Sequence, residues 1–225
     1  MSVSLVESER VGRRISPAAE WTPAARYGAA AALSVGGLLW MAAEVTHLDG
    51  SGVDFMQWVA AHPTWAGLTL VCDFVGTAFV MFALPVWLLL ARPVSPRLAW
   101  TGAIAGVFGL AAQAMMHGAE IVSYIVSTDG RIDKAAFDTV FNSADGGIPF
   151  AVFTVMFLGG AFLGTALTMV ALWRARTLPR GAVVLWLVFL AANLAPVKVP
   201  TTVIGAAALC WMALAIVRAP STRLP

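Results

Sequence analysis

The sequence predicts an all-α membrane protein, a polytopic bundle of about six transmembrane helices with two short amphipathic helices outside the membrane. Composition is the first observation behind this prediction. Of the 225 residues, 60% are hydrophobic and 12% are charged, and the mean hydropathy is +0.82. A soluble domain of this length needs more polar side chains to cover its surface. The other two observations are the grouping of the apolar residues and the distribution of the basic ones.

Six apolar stretches approach the length of about 20 residues that a helix needs to cross a bilayer. They cover roughly 25–46, 65–91, 98–127, 149–173, 180–196 and 199–218, and the fifth is the shortest. We therefore expect one transmembrane helical domain over 25–218. It is preceded by a polar N-terminal tail, 1–24, and followed by a C-terminal tail, 219–225.

Basic residues are distributed unequally between the two sides of these stretches. Eleven fall on one side, namely Arg10, Arg13, Arg14, Arg26, Arg92, Arg97, Arg174, Arg176, Arg180, Arg218 and Arg223. Three fall on the other, namely Arg131, Lys134 and Lys198. By the positive-inside rule, both termini are predicted to be cytoplasmic in a multi-pass protein of the cell membrane. The net charge of +2 comes from these juxtamembrane residues and does not indicate nucleic-acid binding.

Two segments on the outer side have the pattern of short amphipathic helices. Residues 51–62 can start with Ser51 as N-cap, and residues 133–144 can start with Asp133. Such helices are either interfacial linkers or a lid over a cavity that opens outward. Within the spans, two GxxxG pairs predict close helix packing, and Pro85 predicts a kink. The pairs are Gly102 with Gly106 and Gly160 with Gly164.

Polar residues recur on single faces of three predicted spans. In the third span Gln113, His117, Glu120 and Tyr124 lie at i, i+4, i+7 and i+11. In the second, Thr69, Asp73 and Thr77 share a face, and in the first, Trp40, Glu44 and His47 do. Asn193 adds a polar group in the fifth.

A charged residue at the centre of a membrane helix costs about 2.5–3.5 kcal/mol on insertion scales. The polar faces are therefore expected to meet in the bundle interior, in the outer half of the membrane. Each residue taken alone is equally well explained as a hydrogen-bonding group that fixes helix register. Several at one depth indicate a site.

The residue types at this depth suit acid catalysis in a dry pocket. A carboxylic acid between helices can stay protonated and act as a general acid, and a neighbouring imidazole can orient it. Aromatic ring faces stabilise cations. The candidate catalytic residues are Glu120, Asp73, Glu44 and His117. The candidate substrate-binding residues are Trp40, Gln113, Tyr124, Phe74, Trp65 and Asn193.

With acidic residues Glu44, Asp73 and Glu120 in its helices, this small multi-span chain resembles the small bacterial membrane-bound terpene cyclases that act on prenylated indoles and other meroterpenoid precursors. The resemblance covers roughly 25–218. It implies a metal-independent, proton-initiated cyclisation of a lipid-like isoprenoid, without a cofactor, in contact with membrane lipid. It also implies that one carboxylic acid donates the starting proton: Glu120 or Asp73, with Glu44 third.

Other functions stay open. A proton-coupled transporter can use intramembrane carboxylates, and a non-catalytic scaffold subunit can use them for packing. A zinc site drawn from His47, His117, Glu44, Asp73 and Glu120 has no HxxxH or HExxH pair in its favour, so no metal is predicted. The chain has neither paired Asp-rich motifs for diphosphate chemistry nor a nucleotide-binding or GxSxG motif. The oligomeric state is not predicted.

Overall fold

The computed structural model describes residues 17–46, 52–143, 147–194 and 201–220, and the chain is all-helical within these ranges. A 3₁₀ turn, Pro17–Glu20, precedes the bundle. The helices are α1 (Pro23–Thr46), α2 (Gly52–Ala61), α3 (Pro63–Ala91), α4 (Pro96–Thr128), α5 (Lys134–Ser143), α6 (consecutive segments Gly147–Met156, Phe157–Gly164 and Thr165–Ala175), α7 (Arg180–Leu194) and α8 (Thr202–Val217).

Four of the described helices are long and apolar enough to cross a membrane: α1, α3, α4 and the Ala151–Ala175 part of α6. Helices α7 and α8 are apolar but shorter, with 15 and 16 residues. The expected helical membrane bundle is therefore present, and its helices fall where the apolar stretches predicted them. The predicted tails lie largely outside the described residues.

Proline sets several helix starts. Pro23, Pro63 and Pro96 each occupy the first position of a helix, where the missing N–H is not needed and the fixed φ suits the helix. Helix α3 continues through Pro85 to Ala91. Helix α6 ends at Arg176, whose φ of 56° is left-handed and stops the helix.

The described arginines of the spans lie together at one end of the bundle, here called the arginine end. Consecutive long helices are antiparallel, so the α3–α4 and α6–α7 connections meet there. The Arg26 guanidinium, at the start of α1, donates to the Ala219 carbonyl, just after α8, over 2.6 Å. The short helices α2 and α5 lie at the opposite end, here called the α2/α5 end.

Both predicted amphipathic helices form. Met56 and Val59 of α2 are buried, as the apolar face of that segment predicted. The Asp133 carboxylate accepts the backbone N–H groups of Ala135 and Ala136, which confirms it as the cap of α5. The predicted cap Ser51 lies outside the described residues. Helix α2 packs on α4 and on α5.

Helices α4 and α6 are in backbone contact along the predicted glycines. A Cβ built on Gly164 would lie 2.6 Å from the backbone nitrogen of Gly106, and one on Gly102 would lie 2.7 Å from the Gly164 carbonyl oxygen. The GxxxG prediction is thus confirmed, because the two pairs face each other. Gly109 extends the contact toward Gly160.

The middle segment of α6, Phe157–Gly164, has π-helical backbone and packs along α4. A π-helix closes i→i+5 hydrogen bonds, so it contains more residues per turn than the α-helix on either side. The apolar stretch 149–173 predicts an ordinary helix here, so the π-helical backbone is a departure from that prediction.

Gly160→Ala should lower the free energy of unfolding in detergent by about 1–3 kcal/mol. The added methyl group would meet the backbone of Ala105 and Gly109 in α4. Gly159→Ala is the matched control, because nothing lies within 4 Å of a Cβ at that position. Equal stability of the two variants would contradict the close contact.

Candidate functional site

A chain of hydrogen bonds joins α1, α3 and α4. The Trp40 indole N–H donates to the Thr77 hydroxyl oxygen over 3.0 Å, and that oxygen lies 3.2 Å from His117 Nε2. His117 Nδ1 lies 2.9 Å from the Glu120 carboxylate. Trp40, Thr77 and His117 are buried, whereas the Glu120 side chain is 41% exposed. The chain thus leads from the bundle core to a partly open edge.

These contacts fix the orientation of the His117 ring. A carboxylate only accepts hydrogen bonds, so Nδ1 facing Glu120 carries a hydrogen. In the neutral ring, Nε2 then accepts the Thr77 hydroxyl hydrogen, and the Thr77 oxygen accepts from Trp40. Donors and acceptors alternate without conflict along the chain.

Asp73 completes a three-residue group, here called the triad: Asp73, His117 and Glu120. One ligand atom from each residue lies within 4.8 Å of the others. His117 and Glu120 share one face of α4 at i, i+3, and Asp73 comes from the facing helix α3. The prediction that the polar faces of α3 and α4 meet inside the bundle is confirmed.

The triad lies in the half of the bundle nearer the α2/α5 end. Asp73 is ten residues from the start of α3, which is about 15 Å along the helix axis. Glu120 is eight residues from the end of α4, about 12 Å. Between the triad and the arginine end, the described helices carry no Asp, Glu or His side chain.

Asp73 borders two cavities. The larger, here called the aromatic cavity, has a volume of about 110 Å³. Its ring-bearing lining residues are Trp40, Phe157, Phe162, Trp186 and Phe189, and its polar ones include Asp73, Gln113 and Asn193. The smaller, here called the vestibule, has a volume of about 20 Å³. Its lining includes Asp73, Glu120, Tyr124 and Thr69, and it is covered by Trp58 and Val59 of α2.

The π-helical segment brings two of the cavity rings together. Phe157 and Phe162 are five residues apart and meet edge to face with centroids 5.4 Å apart. In an α-helix, residues at i and i+5 differ by about 140° around the axis. In the wider turn of a π-helix they lie on the same side of the helix. The aromatic wall of the cavity therefore depends on the local π-helical backbone.

The predicted substrate-binding residues are only partly gathered at the site. Trp40, Gln113 and Asn193 line the aromatic cavity, and Tyr124 lines the vestibule. The Asn193 amide also donates to the Phe189 carbonyl over 2.9 Å. Trp65 and Phe74 line neither cavity, and their side chains are 58% and 48% exposed on the outside of the bundle.

Glu44, a predicted catalytic residue, is not a member of the triad and lies at the N-terminus of α8, where its partner Thr202 also lines the aromatic cavity. Its carboxylate accepts the Thr202 backbone N–H over 2.6 Å, the Thr201 hydroxyl over 3.2 Å and the Thr202 hydroxyl. A carboxylate here satisfies a free helix N–H and is stabilised by the helix dipole. This geometry ties α1 to α8. His47, predicted on the same face, lies outside the described residues.

Four cavity residues were not predicted from the sequence: Phe157, Phe162, Trp186 and Phe189. Thr77 was not among the predicted site residues either. Trp186 and Phe189 are at i and i+3 in α7, and their ring centroids are 4.9 Å apart. Helices α6 and α7 are apolar on every face, so no periodic pattern distinguished the faces that line the cavity. Thr77 could have been found, because it lies one turn from Asp73 on the polar face of α3.

A pair of opposite charges, Asp129 and Arg131, lies beyond the end of α4. The Arg131 guanidinium donates to both Asp129 carboxylate oxygens, over 2.7 Å to Oδ2 and 2.9 Å to Oδ1. This hydrogen bonding holds the pKa of Asp129 below its ordinary range. The exposed pair lies beyond the end of α4 and takes no part in the site.

Comparison of the chain with protein-family models, curated proteins and solved structures gives no match. The resemblance to membrane terpene cyclases therefore stays a prediction. Function has to be inferred from the geometry of the site.

Glu44→Gln should loosen the start of α8 and lower the free energy of unfolding by about 1–3 kcal/mol, because a charged acceptor is replaced by an amide that places an NH₂ group near the donors. Hydrogen exchange should accelerate at the Thr202 amide, whose N–H the carboxylate accepts. Asp133→Asn, at the cap of α5, should leave that amide unchanged. Unchanged Thr202 exchange in Glu44→Gln would contradict the assignment.

Thr77→Val should destabilise the bundle by about 1–3 kcal/mol, because it leaves the Trp40 indole N–H and a His117 ring nitrogen without their partner. Thr77→Ser keeps the hydroxyl and should retain most of the stability. The measurement is chemical unfolding in detergent. If valine and serine variants are equally stable, the hydroxyl does not link the three helices.

Proposed function

We propose that this protein is a membrane-embedded cyclase that protonates an isoprenoid substrate, such as a prenylated aromatic compound, without a metal cofactor. One observation carries the proposal: the Asp73 carboxyl belongs to the triad and also lines the aromatic cavity. An acid is thus placed against ring faces that can stabilise a carbocation. The geometry favours Asp73 over Glu120 as the proton donor, because Glu120 lines only the vestibule.

The reaction is balanced in protons. The Asp73 carboxylic acid transfers its proton to one carbon of an alkene, whose π electrons form the new C–H bond and leave a cation on the neighbouring carbon. A second alkene of the same chain attacks that cation and closes a ring. The final cation returns a proton to the Asp73 carboxylate, which gives a neutral isomer and restores the acid.

The aromatic cavity supplies stabilisation for the intermediate cations. A ring face within about 6 Å of a desolvated cation contributes up to about 2 kcal/mol. Five rings border the cavity, and the indole of Trp186 is almost fully buried. Exclusion of water by these rings would limit premature capture of the cation.

The volume of the aromatic cavity limits what it can enclose. About 110 Å³ is below the 300–1,000 Å³ of typical small-molecule sites, so the cavity has to widen before both reacting alkenes of the substrate fit beside Asp73. Asn193 lines the cavity and is exposed, which gives lateral access near the end of α7. A lipid-like substrate can approach from the bilayer on that side.

His117 and Glu120 are proposed to restore protonation of Asp73 when a proton is lost. They lie between Asp73 and the exposed edge of the bundle, with Glu120 on the vestibule. We also propose that α7 and α8 complete a six-span bundle in the cell membrane. In this topology the arginine end faces the cytoplasm, with both termini there, by the positive-inside rule.

Proton-coupled transport is the second candidate, because Asp73 borders cavities on two sides. Transport requires a path from Asp73 to the arginine end. Trp87, Trp186 and Leu84, which pack between them, are at most 1% exposed, so this part of the bundle is closed. The described helices offer no carboxylate or imidazole along that path. The scaffold hypothesis predicts instead that isosteric changes in the triad leave every function intact.

Asp73→Asn should reduce turnover at least about 100-fold, because general acid catalysis contributes about 10²–10⁴-fold. The assay uses purified protein in detergent with geranylated and farnesylated aromatic substrates and a chelator. Asp129→Asn is the matched control, because that carboxylate is paired with Arg131 outside the bundle. A fully active Asp73→Asn variant would overturn the assignment of the acid. If wild type forms no product, proton flux in liposomes tests transport.

A further inference from the structure

We propose that the triad is also a binding site for a divalent metal ion and that the ion it binds is Zn²⁺. The ligand atoms of Asp73, His117 and Glu120 already lie within 4.8 Å of one another. Around tetrahedral zinc, with bonds of about 2.0–2.2 Å, neighbouring ligand atoms are about 3.5 Å apart. Each side chain therefore has to move by about 1 Å, which rotation about its own bonds provides. The proposal rests on this geometry and not on the cyclase reaction.

The backbone positions of the three ligands are rigid. His117 and Glu120 lie at i, i+3 on α4, and Asp73 lies within α3, so no ligand depends on a loop. Metal sites in helix bundles are built in this way, from side chains that project inward from facing helices. No sequence motif marks this site, because Asp73 is 44 residues from His117 in the chain.

His117 has the outer hydrogen bond that a metal-bound imidazole requires. A ligating histidine almost always donates its second ring N–H to a fixed acceptor, which sets the orientation of the ring. When zinc replaces the hydrogen on Nδ1, the ring hydrogen is on Nε2, which can donate it to the Thr77 oxygen 3.2 Å away. Trp40 holds the same oxygen in place from α1. The Thr77 oxygen has two lone pairs and accepts both bonds.

The vestibule opens onto two of the three ligands, Asp73 and Glu120. Its volume of about 20 Å³ is enough for one water-sized species, since about 10–15 Å³ holds one. The Glu120 side chain is 41% exposed, so this ligand is reachable from outside the bundle. Three protein ligands leave a fourth position for water.

The donor set selects the class of metal. One imidazole with two carboxylates suits zinc and neighbouring transition metals. Ca²⁺ and Mg²⁺ prefer six or more oxygen ligands and should bind weakly here. Zinc on the Asp73 carboxylate would also exclude the proton that the proposed reaction needs, so zinc should inhibit turnover.

The test is a zinc titration of chelator-stripped protein in detergent, against a competing chromophoric chelator, with the bound metal counted by mass spectrometry. Wild type should bind one Zn²⁺, and its unfolding temperature should rise with zinc. Asp73→Asn and His117→Ala should each lose at least 100-fold in affinity. Thr77→Val, which keeps all three ligands, should lose about 10–100-fold. His62→Ala is the matched control, because His62 is exposed and lies outside the triad.

Unfolding midpoints without zinc identify any variant that fails to fold, and Thr77→Ser, which keeps the hydroxyl, should then restore zinc affinity. Failure of wild type to bind zinc would overturn the proposal, as would equal affinity in wild type and His117→Ala. Neither result bears on the reaction, which is measured separately with chelator present. Absence of product together with triad-dependent zinc binding would overturn the cyclase and leave the metal site standing.

Discussion

A buried imidazole in an apolar bundle has to engage both ring nitrogens, because an unsatisfied polar group away from water costs about 1–3 kcal/mol. His117 meets this requirement with Thr77 on one side and Glu120 on the other. Because Thr77 also accepts the Trp40 indole N–H, hydrogen bonds that run through the His117 ring set the relative positions of α1, α3 and α4. The positions of Asp73 and of both cavities follow from that register. Loss of the Thr77 hydroxyl would therefore disturb the site without touching any carboxylate.

One face of α4 serves two purposes along its length. Near the arginine end it carries Gly102, Gly106 and Gly109, which let the backbone of α6 approach closely. Further along the helix it carries Gln113, which lines the aromatic cavity together with Phe157, Ala161 and Phe162 of α6. Helix α4 therefore meets α6 through glycine backbone in one half and borders the cavity with it in the other.

The sequence was sufficient to predict the site residues that recur at helical spacing on one face of a span. Asp73, His117 and Glu120 lie on polar faces of membrane-spanning helices. Because a charged side chain facing lipid is costly, these faces were expected to turn inward and meet. Glu44 fits the same pattern, but in the folded bundle it lies level with the first turn of α8 and accepts the Thr202 backbone N–H there. Sequence alone does not show which helix end stands opposite a carboxylate. Trp65 and Phe74 were chosen because they are aromatic and near the site, and rotation around α3 directs both outward.

The π-helical turn of α6 has a consequence for how this chain can vary. Such a turn is equivalent to an α-helix with one residue inserted, and the segments on either side are rotated accordingly. Removing one residue between Phe157 and Gly164 would restore a regular helix, but it would turn either Phe157 or the glycine face away from its present neighbours. Point substitutions in this segment are therefore easier to accommodate than a change in its length. Among homologous chains, a one-residue gap at this place would mark a protein with a different cavity.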